Sequence, residues 1–236
     1  ITLLIMLNKE TRDQIVALIK REVVPAIGCT EPIAVALCVA KATETLGTMP
    51  ESIDVLLSGN MLKNAMGVGI PGTGMSGLPI AIALGAIVGK SEYQLEVLKD
   101  STPEHVEKGK AYIAEKRINI SLKENITEKL YIEVTVKAGD NTASAIIAGG
   151  HTHFISITHN GEVLLSSKQK NGTQMENKDI ELSLRMVYEF ADTVPIEEIE
   201  FINEARRLNE NASKKSLEGN YGHELGKTLS RPLGRG

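Results

Sequence analysis

From Asn64 to Gly89 the sequence carries no charged residue. A stretch that apolar belongs either in a bilayer or in a protein interior. Pro71, Gly72 and Gly74 interrupt it and leave Met75 to Val88 as the helical piece, shorter than the roughly 20 apolar residues that a membrane span needs. The run is therefore read as a buried helix of a soluble, globular protein with no membrane partner. The opening Ile1 to Met6 is apolar as well, but it has no basic flank and gives way at once to Asn8-Lys9-Glu10, so it is not a signal peptide. The absence of Met at position 1 points to a native start at Met6 or to a trimmed chain.

Each of two short motifs stands just before an unusually apolar helical stretch. The first is Gly28-Cys29-Thr30-Glu31-Pro32; the second is the polar, glycine-dense run from Ser58 to Gly77. After the first, Thr30 can cap a helix carrying Ile33, Val35, Ala36, Leu37, Val39 and Ala40, apolar on nearly every face and closed by Gly47. Before the second, Ile53 to Leu57 is β-like and feeds into Ser58-Gly59-Asn60. Strand, glycine loop, then helix is a common way to build a binding site, and helix N-termini with several backbone amides suit a small anionic substrate.

Composition narrows the function classes. The formal net charge is −4, and three Phe, five Tyr and no Trp, without a basic stripe among them, argue against nucleic acid as a partner. With 236 residues and 42% hydrophobic content the chain can bury a proper core. Two cysteines, Cys29 and Cys38, do not make a disulfide framework and indicate a reducing, cytoplasmic setting.

Along the chain, Thr11-x-x-Gln14 reads as a capping box for a first helix ending near Val23, before Pro25. Thr102-Pro103-Glu104 starts another helix. Candidate strands follow at Ile118 to Leu122, Leu130 to Ala138, Ala143 to Ala148, Thr152 to Thr158 and Glu162 to Ser166, with Asn160-Gly161 a type I′ hairpin signal. Alternation in Tyr131 to Val136 predicts one wet face, as in an antiparallel meander. After a polar connection, Lys168 to Asn177, helix resumes from Asp179, Pro195 starts a further helix, and Leu229 to Gly236 reads as loop. The sum is an α+β protein: apolar helices around a glycine-rich loop, a central antiparallel sheet and C-terminal helices. Its regions are 7–117 (motifs), 118–168 (sheet) and 179–230 (helices), which a single domain can also hold.

A thiol at a helix N-terminus feels the positive end of the macrodipole, which lowers its pKa and fits Cys29 to act as base, nucleophile or ligand. Cys38, nine residues on inside the apolar helix, reads as core. Gly69 to Ser76 matches the P-loop spacing except that Met75 replaces the lysine that contacts terminal phosphates, which argues against a nucleotide site. Ser58, Asn60, Lys63, Asn64 and Thr73 crowd polar groups around this turn. Lys63 can pair with a substrate carboxylate while amides of the Gly72 to Ser76 turn hold its oxygens. His151 and His153 alternate on one predicted strand face, too few for a metal site without a third ligand.

Taken together, Gly28-Cys29-Thr30-Glu31-Pro32, Ser58-Gly59-Asn60, Lys63-Asn64 and Ile70-Pro71-Gly72-Thr73-Gly74-Met75 resemble the L-cysteine desulfidase family, related to the α subunit of iron-sulfur-dependent L-serine dehydratases. The resemblance runs from about residue 9 to 230. It implies β-elimination on L-cysteine or L-serine without pyridoxal phosphate, giving pyruvate and ammonia, with a four-iron, four-sulfur cluster at the substrate's β-substituent. It also implies that Cys29 is the proton acceptor and that Thr30, Glu31, Ser58, Asn60, Lys63, Asn64, Thr73, Gly74 and Met75 line the substrate. Family members are much longer, and their three cluster-binding cysteines lie in a C-terminal half without counterpart here. The chain thus resembles an N-terminal portion that binds no metal and is inactive alone. The alternative reading is a non-catalytic small-molecule binding or assembly domain. Exposed sheet edge makes a homodimer the expected assembly.

Overall fold

The computed structural model describes residues 7–167, 180–220 and 224–230. They fall into two compact units, one formed by the N-terminal residues up to 24 together with the C-terminal helices, the other by the stretch from residue 25 up to 167.

The first unit begins with helix α1 (Lys9–Glu22). Its N-cap is Asn8, whose Oδ1 accepts from the Thr11 amide at 2.8 Å, so the helix starts before the Thr11 capping box expected from the sequence. The second unit runs α2 (Thr30–Leu46), β1 (Ser52–Leu57), α3 (Gly59–Ala65), β2 (Gly69–Ile70), β3 (Met75–Ser76), α4 (Leu78–Ile87), a 3₁₀ helix (Ser91–Glu96), α5 (Pro103–Ala114), β4 (Ile118–Leu122), β5 (Tyr131–Ala138), β6 (Asn141–Ala148), β7 (Phe154–His159) and β8 (Glu162–Ser166). The chain then returns to the first unit with α6 (Leu184–Thr193), α7 (Ile196–Ile199), α8 (Ile202–Glu218) and α9 (Leu225–Ser230).

The fold is α+β, with a six-stranded sheet in the order β4-β1-β5-β6-β7-β8. All neighbours are antiparallel except β1 and β4, which pair in parallel with Ile53 opposite Ile118. The alternation read in β5 holds: Ile132, Val134 and Val136 are buried while Tyr131, Glu133 and Thr135 lie on the more open face. Asn160 and Gly161 both take positive φ between the paired residues His159 and Glu162, as a type I′ turn requires.

Why α2 is apolar all round is settled by its surroundings. It lies against β5 and β6 on one side and α4 on the other, so from Pro32 to Ala40 no face is left to water. At the α2–α4 crossing a Cβ on Gly85 would stand 2.6 Å from the Ala36 carbonyl oxygen, and only a glycine lets the two backbones approach this closely.

Several boundaries differ from the sequence reading. The helix expected over Met75 to Val88 is shorter, because Met75–Ser76 pairs with Gly69–Ile70 as a small hairpin. Gly77 at φ 86° then breaks the run before Leu78. A Cβ on Gly77 would meet the Met66 carbonyl oxygen at 2.7 Å. His151 and His153 lie in the turn before β7, not on a strand face. The helix expected from Asp179 is capped by Ser183, whose Oγ accepts from the Met186 amide. Residues Leu229 and Ser230, expected in a loop, close α9. The expected polar connection Lys168 to Asn177 lies outside the described residues. Among the described residues no helix is long and apolar enough to cross a membrane.

Candidate functional site

The site begins at the turn into α2. Gly28 stands at φ 80°, and a Cβ there would lie 2.9 Å from Cγ of Pro71. Glycine at this position therefore lets the turn between β2 and β3 rest directly on the chain that enters α2. Cys29, and not Thr30, is the N-cap; Thr30 is the first helical residue. The Cys29 side chain makes no capping bond. Its Sγ instead donates to Oε2 of Glu31 at 2.8 Å, and the Thr30 hydroxyl donates to the same oxygen at 3.3 Å. From α3, Nδ2 of Asn64 reaches Oε1 of Glu31 at 3.5 Å.

Glu31 is thus the hub of the site. The hydrogen bond from Cys29 is the largest cause that holds its carboxyl below the usual range, with the Thr30 hydroxyl and the charge of His151 adding to it against desolvation. The same contact acts oppositely on its partner. Burial first, and then the hydrogen bond to Glu31, push the Cys29 thiol above its ordinary value. This corrects the expectation of a lowered Cys29 pKa. Desolvation and an adjacent carboxylate outweigh the helix macrodipole, so the pair at neutral pH is a thiol donating to a carboxylate.

The other expected site residues divide into two groups. Asn60, Lys63 and Asn64 are exposed on α3 at i, i+3 and i+4, which places Asn60 and Lys63 along one helix face with Asn64, the residue that touches Glu31. Ser58 and Thr73 are buried and already committed. The Ser58 hydroxyl donates to the Lys129 carbonyl at 2.8 Å, and that of Thr73 donates to the Ile70 carbonyl at 2.7 Å while accepting from the Met75 amide at 3.0 Å. The Thr73 amide also bonds the Ile70 carbonyl. The expectation of an amide cradle over Gly72 to Ser76 is corrected to this extent: the amides of Thr73 and Met75 serve the turn itself. Gly74 supplies the left-handed turn residue, φ 65°, and Met75 is half-buried against the core.

Cys38 is a core residue. Its Sγ lies 3.2 Å from the Ala145 carbonyl, and complete burial pushes its thiol far up. His151 is a neighbour of the site through its charge on Glu31, whereas the sequence places it on a strand face with His153. The signal for it was the Gly149-Gly150 pair just before it, with Gly149 at φ 76°, which turns the chain back after β6.

Among the described residues there is no group of three or more His, Cys, Asp or Glu able to hold a metal ion. An all-cysteine iron-sulfur site needs more thiolates than this chain has. One of its two is sealed against sheet carbonyls and the other is engaged by Glu31, so a four-iron cluster does not fit the donors present.

No family model matches the chain, and no solved structure matches it. It is similar to a UPF0597 protein of Bacteroides fragilis, 66% identical over 223 residues that cover 94% of this chain and 52% of that protein. A UPF0597 protein of Porphyromonas gingivalis is 48% identical over 235 residues, 97% of this chain and 54% of the relative. One of Photobacterium profundum is 44% identical over 221 residues, 92% and 51% respectively. The chain spans about half the length of the curated relatives it matches.

Proposed function

We propose that this chain forms part of a cytoplasmic lyase that eliminates the β-substituent of a small amino acid, L-cysteine or L-serine, with Cys29 as its proton acceptor and Glu31 beside it as the anchor of the substrate ammonium. The observation that carries the reading is the 2.8 Å thiol–carboxylate contact at the start of a buried helix. The motif resemblance supports the same assignment. An iron-sulfur cluster, if the whole protein uses one, draws its ligands from outside these residues.

The chemistry available to the chain's own groups is this. A substrate α-ammonium docks on the Glu31 carboxylate, beside Asn64. Its positive charge offsets the carboxylate that helps to hold the Cys29 proton in place, and with the helix N-terminus favouring the thiolate the thiol gives that proton to solvent. Cys29 takes the α-proton; the electron pair left on Cα forms the Cα–Cβ double bond as the β-thiol or β-hydroxyl leaves with its bonding pair. The aminoacrylate tautomerises to an imine, and water releases pyruvate and ammonia.

The test uses an extended protein, this chain joined in natural order to the part of the B. fragilis relative outside the aligned segment. L-cysteine and L-serine are offered anaerobically after iron and sulfide reconstitution, and pyruvate is measured. Cys29→Ser should abolish turnover and Glu31→Gln should raise KM more than it lowers kcat. Wild-type turnover by Cys29→Ser overturns the assignment. Amino-acid binding without any pyruvate favours a binding domain instead.

A further inference from the structure

Helix α6 has two apolar sides. Phe190 is buried and Met186 half-buried on one, where Arg185 and Glu189 pair at 2.8 Å. On the other, Leu184, Val187, Tyr188 and Ala191 recur at i, i+3, i+4 and i+7, and all four are exposed, Leu184 to 88% and Tyr188 to 65%. That spacing is the apolar stripe by which a helix lies in a groove. The molecule itself shows how such a helix is finished: α2, apolar on every side from Pro32 to Ala40, is covered there by the sheet and by α4.

We infer that the outward stripe of α6 is the seat of the part of the full-length protein that lies outside this chain. The relatives align with this chain over more than nine-tenths of its length, α6 included, yet each carries nearly as many residues again. A stretch of that size has a core of its own and can offer an apolar groove. A second copy of this chain is the weaker occupant. Large apolar exposure extends beyond α6 to Ile196 on α7, at 65%, and Leu229 on α9, at 82%. One helix-on-helix contact between copies covers a single stripe, whereas a domain-sized neighbour covers several.

The test reads one substitution pair, Leu184→Glu with Tyr188→Glu, in two lengths of protein: the 236-residue chain and the extended protein described above. In the short chain the pair should leave the melting midpoint unchanged, because both side chains are solvent-exposed there. In the extended protein it should lower the midpoint by several degrees. Hydroxyl-radical labelling of Tyr188 should fall severalfold on going from the short chain to the extended protein. The inference is overturned if labelling is the same in both, or if the pair is silent in both. A short chain that sediments as a dimer and becomes monomeric on substitution overturns it too, since the occupant is then a second copy. Protection of Tyr188 in a monomeric short chain does the same, the cover then being the chain's own.

Discussion

Two helices of seventeen residues each, α2 and α8, are built on opposite principles. In α2 eleven residues are buried, and nothing along it is charged between Glu31 and Lys41. In α8 none is buried. Its order comes from ladders along its own surface: Arg206 with Glu210 at 2.8 Å, Lys214 with the same carboxylate at 2.6 Å, and Arg207 with Glu204. Exposed pairs of this kind contribute little, because water screens them and holding two long side chains costs entropy, while burying one large apolar side chain contributes about 1.5–3 kcal/mol. The same contrast holds for the two units. Around α2 and α4 the sheet unit closes a continuous core, whereas among the described residues of the helical unit Ile15 and Phe190 are its buried large apolar side chains and polar contacts add to the half-buried ones. Arg12, for example, holds Glu198 through Nε and Nη2 at 3.1 Å each. The lesson is that one chain can hold both a finished core and helices whose apolar faces await a neighbour.

The sharpest way to break this comparison is a matched pair of truncations. Leu37→Ala, in the centre of α2, should cost about 2–5 kcal/mol in denaturant unfolding, while Leu208→Ala on α8 should stay within about 0.5 kcal/mol. Equal losses would mean that the two helices are not held differently.

Next in size is overpacking at the α2–α4 crossing. Gly85→Ala places a methyl 2.6 Å from the Ala36 carbonyl oxygen and should destabilise by about 1–3 kcal/mol. A neutral result would show that the crossing has slack, and the dense unit would then be less dense than described.

A smaller effect separates the two thiols inside the dense unit. Complete burial raises the Cys38 pKa, so its neutral thiol contributes stability that is fully present below the unfolded thiol's value, about 8.5, and is lost as pH rises beyond it. Unfolding free energy should fall by about 1.4 kcal/mol per pH unit from this group above that point. Cys38→Ala should flatten the alkaline limb; an unchanged limb would assign it to other groups.

The smallest expected effect lies at the site. Glu31→Gln removes the carboxylate that helps to keep Cys29 protonated, so alkylation of Cys29 near neutral pH, followed by mass spectrometry, should speed up severalfold while Cys38 stays unreactive. An unchanged Cys29 rate would show that burial alone sets its proton.

How much of this was legible in the sequence depends on the range of the interaction. β4, β8, the Asn160-Gly161 turn and the Thr102 cap were readable because turn chemistry and alternation act over a few residues. The motif residues Cys29, Glu31 and Asn64 were readable as a group, but their roles were not. Cys29 at a helix start reads as an acidic thiol until its burial and the direction of the Glu31 side chain are known; burial first, and then the hydrogen bond to Glu31, reverse the sign.

The sequence by itself determined which helices are buried and where the chain turns, since an uncharged run and a left-handed glycine have few places to go. Only the tertiary structure decided that Met75-Ser76 pairs back on Gly69-Ile70 instead of opening a helix, that the turn carrying His151 comes within electrostatic reach of Glu31, and that the Cys29 thiol is a donor. Those outcomes rest on groups up to 120 residues apart in sequence, Glu31 and His151 being the widest pair. Nothing in a local pattern encodes the distance between such groups; the packing of the sheet unit sets it.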